Sequence, residues 1–526
     1  MFSLLSSGRE LRVENKGAPL LLGVDLGTSA VKGSIHRMDG SVLAHASVEY
    51  ELLSPGPARV EVAATTYWTA FCTVVHSMLQ SSGVDSRQVV SMGISAQGET
   101  LLTVGSDGQP LRDAIVWLDN RAGEEATELD HRFGREAIYQ ATGQPGMLPT
   151  WPAAKILWLS RHEPELFSRV HKYLLLEDYL IARLTGEYVC EGSLVTSTCY
   201  WDFRKKQWWP EMLNAIGISG SQLPNLVEPG TAIGRILPGV AEELGLSDTT
   251  MVCTGALDQA CGAIGVGNVR PGILSENTGT AVALCATLDG PRLDPLLRMP
   301  CHYHGIPDTY MFHTFTSGGL ILRWYRDTFY GAEKAAANVA GLDTFGIIGQ
   351  EAASVPAGSD GLVVLPHLQG AMAPDADPSA RGAVVGLTLL HGRGHVARAI
   401  LESVAFVIRR NVEVLEELGV GVHSIRASGG GAKSRLWKQI EADVTKRPVV
   451  TTEQLDAATL GASILAGVGV GLYSGTVEAA EAMVKPADSF EPVEGNFARY
   501  DDSYAKYCEA AGALAPFFRS GAARHG

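Results

Sequence analysis

The sequence predicts an α/β protein built from a duplicated domain, and three observations carry that prediction. The chain has 526 residues, which suggests roughly two to four domains. Apolar runs of strand length alternate along it with segments of helical spacing. A hairpin pattern also occurs twice, at Leu20–His36 and at Ile273–Gly290. Gly279-Thr280-Ala281-Val282 parallels Gly27-Thr28 and Ala30-Val31, and Asp289-Gly290 closes the second copy as Asp39-Gly40 closes the first. Two such hairpins half a chain apart point to duplication.

Composition removes several function classes. Hydrophobic residues make up 46% of the chain, ample for large cores, and the net charge is −15 with no block of Lys and Arg. That argues against a nucleic-acid or anionic-membrane surface. A phosphate site in such a chain has to be made locally, from amides, hydroxyls and a metal. The eight cysteines form no C-x-x-C pair, which predicts free thiols in a reducing cytoplasm. Neither a signal peptide nor a run of about 18 apolar residues is present, so no membrane span is expected. Residues 1–19 read as a loose extension.

Taken in order, Leu20–Val24 enters the first turn as a strand and Val31–Ile35 leaves it. The turn, Gly27-Thr28-Ser29-Ala30, exposes amide and hydroxyl donors, and Asp25 and Lys32 bracket it with opposite charges. This suits a phosphate with a divalent ion, and it equally suits an ordinary polar hairpin tip. Val42–Leu52 reads as a strand, Trp68–Leu79 as a helix and Val89–Ile94 as a buried strand. Gln97 and Glu99 lie just past that last strand, where ligands gather in open α/β sheets. Ile115–Trp117 is a strand fragment, and Asp119, Asn120 and Arg121 lead from it into an acidic helix start. A Gly/Pro loop then precedes a helix carrying Lys155 and Trp158, and a Trp-rich patch near 200–215 reads as core between helices.

Thr250–Cys253 reads as a strand, and Gly255–Gln259 as the corner into a helix of small residues. Asp258 sits at the N-terminal end of that helix, as a cap or as a reactive carboxylate. Ser317-Gly318-Gly319 precedes another helix, and His395–Leu418 is strongly periodic. Ile425–Ser428 is a strand, followed by Gly429-Gly430-Gly431-Ala432-Lys433-Ser434 and a helix over Arg435–Val444. Ala432 stands where a P-loop needs Gly, and G-x-G-x-x-G is missing, so a P-loop kinase and a Rossmann dehydrogenase are both disfavoured. A last small helix lies within 470–501, and the C-terminal segment reads as helical to about Phe518 and frayed beyond.

With these stretches in order, the chain resembles the FGGY carbohydrate kinases of the sugar kinase/actin/Hsp70 superfamily from about residue 20 to about 510. The family's C-terminal signature is met from Gly382 through Gly386-Leu387 and His395-Val396 to Ala399-Ile400-Leu401-Glu402. Its N-terminal signature is met by Pro152, Lys155, Ile156, Trp158, Leu159, Arg161 and His162, with Thr150 departing from the pattern. The resemblance implies two duplicated actin-like (ribonuclease H-like) ATPase domains around a central cleft. Their expected bounds are 20–266 and 267–490, with a helical tail over 491–526.

The resemblance also implies roles. Thr28, Ser29 and Lys32 fall on the first phosphate motif, with Asp25 as the metal residue. Gly279 and Thr280 fall on the second phosphate motif, Gly318 and Gly319 on the next nucleotide contact, and Gly430, Gly431 and Ser434 on the adenosine motif. Asp258 falls on the catalytic base, and Gln97, Gly98, Glu99, Asp119 and Gln259 on the substrate side. The implied reaction transfers the γ-phosphoryl of ATP, with Mg²⁺, to a small sugar or polyol hydroxyl. Dimers are common in the family, so a homodimer is the assembly the resemblance suggests. The overall pattern is closest to xylulokinase-type pentulose kinases. The pair Gly98-Glu99 matches neither the xylulokinase nor the glycerol kinase pattern cleanly. Glu99 and Gln259 pull towards glycerol, erythritol or another polyol, and Arg323–Phe329 and Ala427–Trp437 look like xylulokinases and autoinducer-2 kinases alike. The same fold also serves non-kinase ATPases and sugar-responsive regulators.

Overall fold

A computed structural model describes residues 17–454 and 456–522. The expected extension at residues 1–19 and the frayed end lie largely outside the described residues.

Two sheets carry the duplication strand by strand. In the first, Leu20–Leu26 pairs antiparallel with Ala30–Arg37, which pairs with Val42–Glu49. On its other side Leu20–Leu26 runs parallel to Val89–Ala96, then Met251–Leu257, and the antiparallel strand Ala232–Arg235 closes the edge. The second sheet repeats this and adds one strand, Cys301–Tyr303, at its Tyr310–Ser317 edge. Ile273–Thr278 pairs antiparallel with Ala281–Leu288, which pairs with Tyr310–Ser317. Parallel strands Ser424–Ser428 and Val449–Thr452 follow on the other side, with antiparallel Pro486–Phe490 at the edge. Both hairpins therefore hold the same position in their sheets, and the two turns end corresponding strands.

Between the sheets lie two helices, Asp258–Gly265 and Ala457–Gly469, packed on each other; the second also packs against Leu20–Leu26, Val89–Ala96 and Met251–Leu257. Their contacts are backbone to backbone. A Cβ on Gly461 would stand 2.0 Å from Cys261 O, and one on Gly265 would stand 1.8 Å from Ala457 O. A Cβ on Gly23 or Gly93 would likewise meet Thr459 O or Ala462 O at 1.8 or 2.1 Å. Only glycine fits at these four crossings. A second apolar cluster, around Ile138, Ile156, Trp158, Tyr173 and Met212, supports the helices beside the first sheet.

Some boundaries differ from expectation. Gly255 lies inside a strand that runs to Leu257, so the corner falls directly at Asp258. The Trp-rich patch is core as expected, with Trp201 buried and Trp208 and Trp209 packed against the apolar clusters, and part of it folds as a short ladder that pairs Trp201 with Trp208. The helix Ala457–Gly469 has no counterpart in the reading of the sequence. It is buried on nearly every face, so it shows no polar stripe to betray its period. The C-terminal helix, Phe497–Ala522, packs on the helix Arg393–Glu417 and the strand Val363–Leu365.

Candidate active site

The first hairpin turn is closed by Gly27 N–H to Ala30 O at 3.0 Å. Strand register puts Asp25 between Lys32 on one neighbour and Ser95 on the other. Ser95 Oγ donates to Asp25 Oδ1 at 2.8 Å. Lys32 Nζ reaches across to Asp456 Oδ2 at 3.2 Å, on the residue that caps the helix Ala457–Gly469. Thr28 Oγ1 accepts from Trp117 Nε1 at 2.8 Å, and Ser29 is exposed at the tip.

The second turn is tighter. Gly279 N–H donates to Ala281 O at 2.9 Å, Gly319 N–H to Gly279 O at 3.0 Å, and Leu320 N–H to Thr280 O at 2.9 Å. A Cβ on Gly318 would stand 2.5 Å from Ala281 C, and one on Gly319 2.5 Å from Gly279 O, so the two turns interlock only as glycines. The loop Gly429–Ser434, expected to meet adenosine, presses on the same strand end. Gly429 has φ +78, and a Cβ on Gly431 would stand 2.6 Å from Thr278 Cγ2. Gly430 opens a short 3₁₀ turn, and Ser434 Oγ caps the helix Arg435–Thr445 by accepting Trp437 N–H at 3.4 Å. Gly279, Thr280, Gly318, Gly319, Gly430 and Gly431 thus gather at one end of the second sheet.

The residues expected on the substrate side gather at the first sheet. Gln97 is buried; its Nε2 donates to Tyr67 OH at 3.2 Å, and its Oε1 has no partner. Glu99 adopts φ 55, a left-handed backbone turn, next to Gly98. The fully buried Lys155 holds this loop from beneath. Its Nζ donates to Glu99 O and to Val116 O, both at 3.0 Å, tying the loops at 97–100 and 116–119 together. Gln259 N–H donates to Asp258 Oδ1 at 2.7 Å.

Asp119 is a correction. It is fully buried, Oδ1 accepts from Arg121 N and Nε at 3.0 and 2.8 Å, and Oδ2 accepts from Val60 N and Arg121 Nη2 at 2.6 and 2.7 Å. No oxygen is left for a substrate, so Asp119 braces the loop instead. The reading also missed Trp117, although an aromatic directly after an apolar strand fragment was its signal. It missed Asp456 as well, which meets Lys32 across more than four hundred residues of chain.

The electrostatics single out one group. Burial, together with the nearby charges of Asp25 and Glu99, pushes Asp258 up to about 8; Gln259 N–H and Lys32 oppose this. Burial and the charge of Asp456 raise Asp25 to about 6 against Lys32 and Ser95. Burial raises Glu99 and lowers Lys155, each offset by the other's charge. Asp25, Glu99 and Asp258 thus form a cluster of acids beside the first turn. Elsewhere, an apolar cavity of about 660 Å³, lined by Trp324, Phe329, Leu387 and Val396 among others, contains none of these residues.

Residues 20–265 match the N-terminal domain, and residues 278–470 the C-terminal domain, of the FGGY family of carbohydrate kinases. The chain is 31% identical over 488 residues to a xylulose kinase of Bacillus subtilis (strain 168), covering 93% of this chain and 95% of that protein. It is 30% identical over 502 residues to an autoinducer-2 kinase of Enterobacter sp. (strain 638), covering 93% of each. It also superposes on the crystal structure of a gluconate kinase from Lactobacillus acidophilus with TM-score 0.87 and 28% identity, covering 96% of this chain and 100% of that one.

Proposed function

Because the chain belongs to the FGGY family of carbohydrate kinases, enzymes of the two-domain actin-like fold, we propose that it phosphorylates a neutral pentulose, with Asp258 as base. The family uses ATP as phosphate donor. The observation that carries the reading is Asp258 itself. It stands at the first position of a helix, at the end of a strand, with a proton affinity raised to about 8 and near the acids Asp25 and Glu99. A base needs an affinity near the working pH.

In the step proposed, a substrate hydroxyl attacks the γ-phosphorus. Its proton passes to Asp258, the new O–P bond forms, and the bond to the β,γ-bridging oxygen breaks with its electron pair going to ADP. Little covalent work falls to the protein; positioning and charge do the rest. The Thr28 and Thr280 turns would hold the phosphates from opposite domains, and Gly429–Ser434 the adenosine. Asp25 fits magnesium, because it is a buried carboxylate raised by a second acid, a strain that a cation relieves. Among the described residues no three His, Cys, Asp or Glu side chains form a metal cage. Asp25 would therefore hold the ion through water, alongside phosphate oxygens, where it would neutralise phosphate charge.

The same inventory supports a neutral substrate. Glu99, Asp258 and the unpartnered Oε1 of Gln97 all accept hydrogen bonds, which suits a hydroxyl-rich sugar. The neighbouring cations are committed: Lys155 to two carbonyls, Arg121 to Asp119 and Glu61, Lys32 to Asp456. A sugar acid would bring its carboxylate into a field of acids. The xylulose kinase relative supports a pentulose. A polyol is the second reading, favoured by Glu99 and Gln259. Because all eight cysteines are free thiols and no described helix is long and apolar enough to cross a membrane, we place the enzyme in the cytoplasm. A homodimer is proposed with it, supported by the projecting Leu387, Leu389 and Leu390; sedimentation velocity reads that state.

The test is ADP release from ATP and Mg²⁺ against a panel of D-xylulose, other pentuloses, glycerol, erythritol, gluconate and the autoinducer-2 precursor. A pentulose should give the highest kcat/KM and gluconate none. Best turnover on gluconate removes the substrate reading, and ADP release independent of any sugar removes the kinase reading with it.

A further inference from the structure

Asp258 is aimed by the backbone just before it, and that backbone is irregular. Met251–Leu257 runs parallel to Val89–Ala96, pairing Thr254 with Ile94 and Ala256 with Ser95, so Gly255 is an extra residue bulged out of the ladder. A bulge bends its strand and re-aims the side chains beyond it. A Cβ on Gly255 would stand 2.0 Å from Ile94 O, so the bulge needs glycine.

Two buried side chains secure the amides on this stretch. Gly255 N–H donates to Glu177 Oε1 at 2.7 Å. Two residues on, Leu257 N–H donates to Ser193 Oγ at 2.9 Å, and that hydroxyl donates to Glu191 Oε1 at 2.8 Å. Glu191 is fixed in turn by the amides of Ser193 and Leu194, at 2.7 and 2.6 Å. Glu177, Glu191 and Ser193 are fully buried. Burial and neighbouring acids raise Glu177, and burial raises Glu191 to about 8. A buried acid costs stability. Here that cost is set against hydrogen bonds to two amides leading into Asp258.

We propose that Glu177 and the Ser193–Glu191 pair are positioning residues, which lock the bulge at Gly255 and the amide of Leu257 so that Asp258 emerges aimed at the attacking hydroxyl. The proposal rests on the reading of Asp258 as base. Glu177 is needed only as an acceptor, a role that an amide oxygen fills and an alkyl chain does not.

Glu177→Leu and Ser193→Ala each remove one acceptor, and Glu177→Gln keeps it. Since displacing a reacting group by about 1 Å costs up to about 10²-fold, kcat should fall roughly 10- to 100-fold in Glu177→Leu and Ser193→Ala, with the KM for ATP within about twofold. Glu177→Gln should stay within about threefold of the parent. A parent-like kcat in folded Ser193→Ala overturns the proposal, and Ser193→Ala decides alone if Glu177→Leu does not fold. A loss in Glu177→Gln as large as in Glu177→Leu also overturns it. Asp258→Asn assayed alongside separates the two readings. If it is inactive while Ser193→Ala is parent-like, only the positioning fails; if it turns over normally, the base falls and the positioning with it.

Discussion

Gly461→Ala tests whether the helix pair between the two sheets holds Asp258 in place. The new methyl carbon would stand 2.0 Å from Cys261 O, 2.6 Å from its carbonyl carbon and 2.9 Å from its Cα. Carbon–oxygen contacts in proteins settle near 3.3 Å, so the helices must part by about 1.3 Å. No flexible side chain can absorb that, because the opposing atoms are backbone. Overpacking of this kind costs about 1–3 kcal/mol. It works against a gain of about 1 kcal/mol from replacing glycine in a helix, which makes a control available. Gly512 lies in the helix Phe497–Ala522 with nothing within 4 Å of its missing Cβ. Gly512→Ala should therefore raise the thermal midpoint while Gly461→Ala lowers it. Cys261 lies one turn beyond Asp258 on the same helix, so kcat should also fall, by roughly 10-fold or more. If Gly461→Ala melts no lower than Gly512→Ala and keeps its kcat, the backbone crossing does not hold the base, and the argument fails.

Other outcomes follow from the acids and from Lys155. Asp258 must be deprotonated to take a proton, and its folded value is raised to about 8. kcat/KM should accordingly climb as pH rises from 6 through 8 and flatten above, with roughly a fivefold gain between pH 7 and 8. Glu99 is one of the charges raising Asp258, so Glu99→Gln should move that limb to lower pH while weakening sugar KM more than ATP KM. Lys155→Met leaves two buried carbonyls, of Glu99 and Val116, without their donor; sugar KM should rise about 10-fold or more, with little change in ATP KM. Steady-state kinetics on both substrates reads all of these; a flat profile between pH 6 and 8 would count against the first, and equal changes in the two KM values against the other two.

The hairpins were legible because their chemistry is local. A Gly-Thr turn between two apolar runs, closed by Asp-Gly, needs no partner elsewhere to be recognised. The strand-end position of Gln97 and Glu99 was legible for the same reason. What escaped was non-local. Ala457–Gly469 packs on the first sheet and on the helix Asp258–Gly265, yet it is buried almost all round, and its mostly small and apolar residues give no helical stripe. Lys32 was expected to face phosphate and is found paired with Asp456, far away in the chain. Asp119 looked like a ligand in a polar loop, and only the fold shows Val60 and Arg121 consuming its oxygens. The bulge at Gly255 is also a matter of register, invisible until Ile94 and Ser95 are beside it.

The central claim is that Asp258 removes the proton from the attacking hydroxyl, and Asp258→Asn tests it most directly. A group raised to about 8 in the fold, against an ordinary carboxylate value when unfolded, binds more protons folded than unfolded between those values. Stability is therefore lost as pH rises through that window, and the neutral Asn should melt higher than Asp at pH 8, the difference closing towards pH 4. Turnover should fall by about 10²-fold or more, while calorimetric Kd values for ATP and for the sugar stay within about threefold. A folded Asp258→Asn enzyme with near-parent kcat would contradict the account.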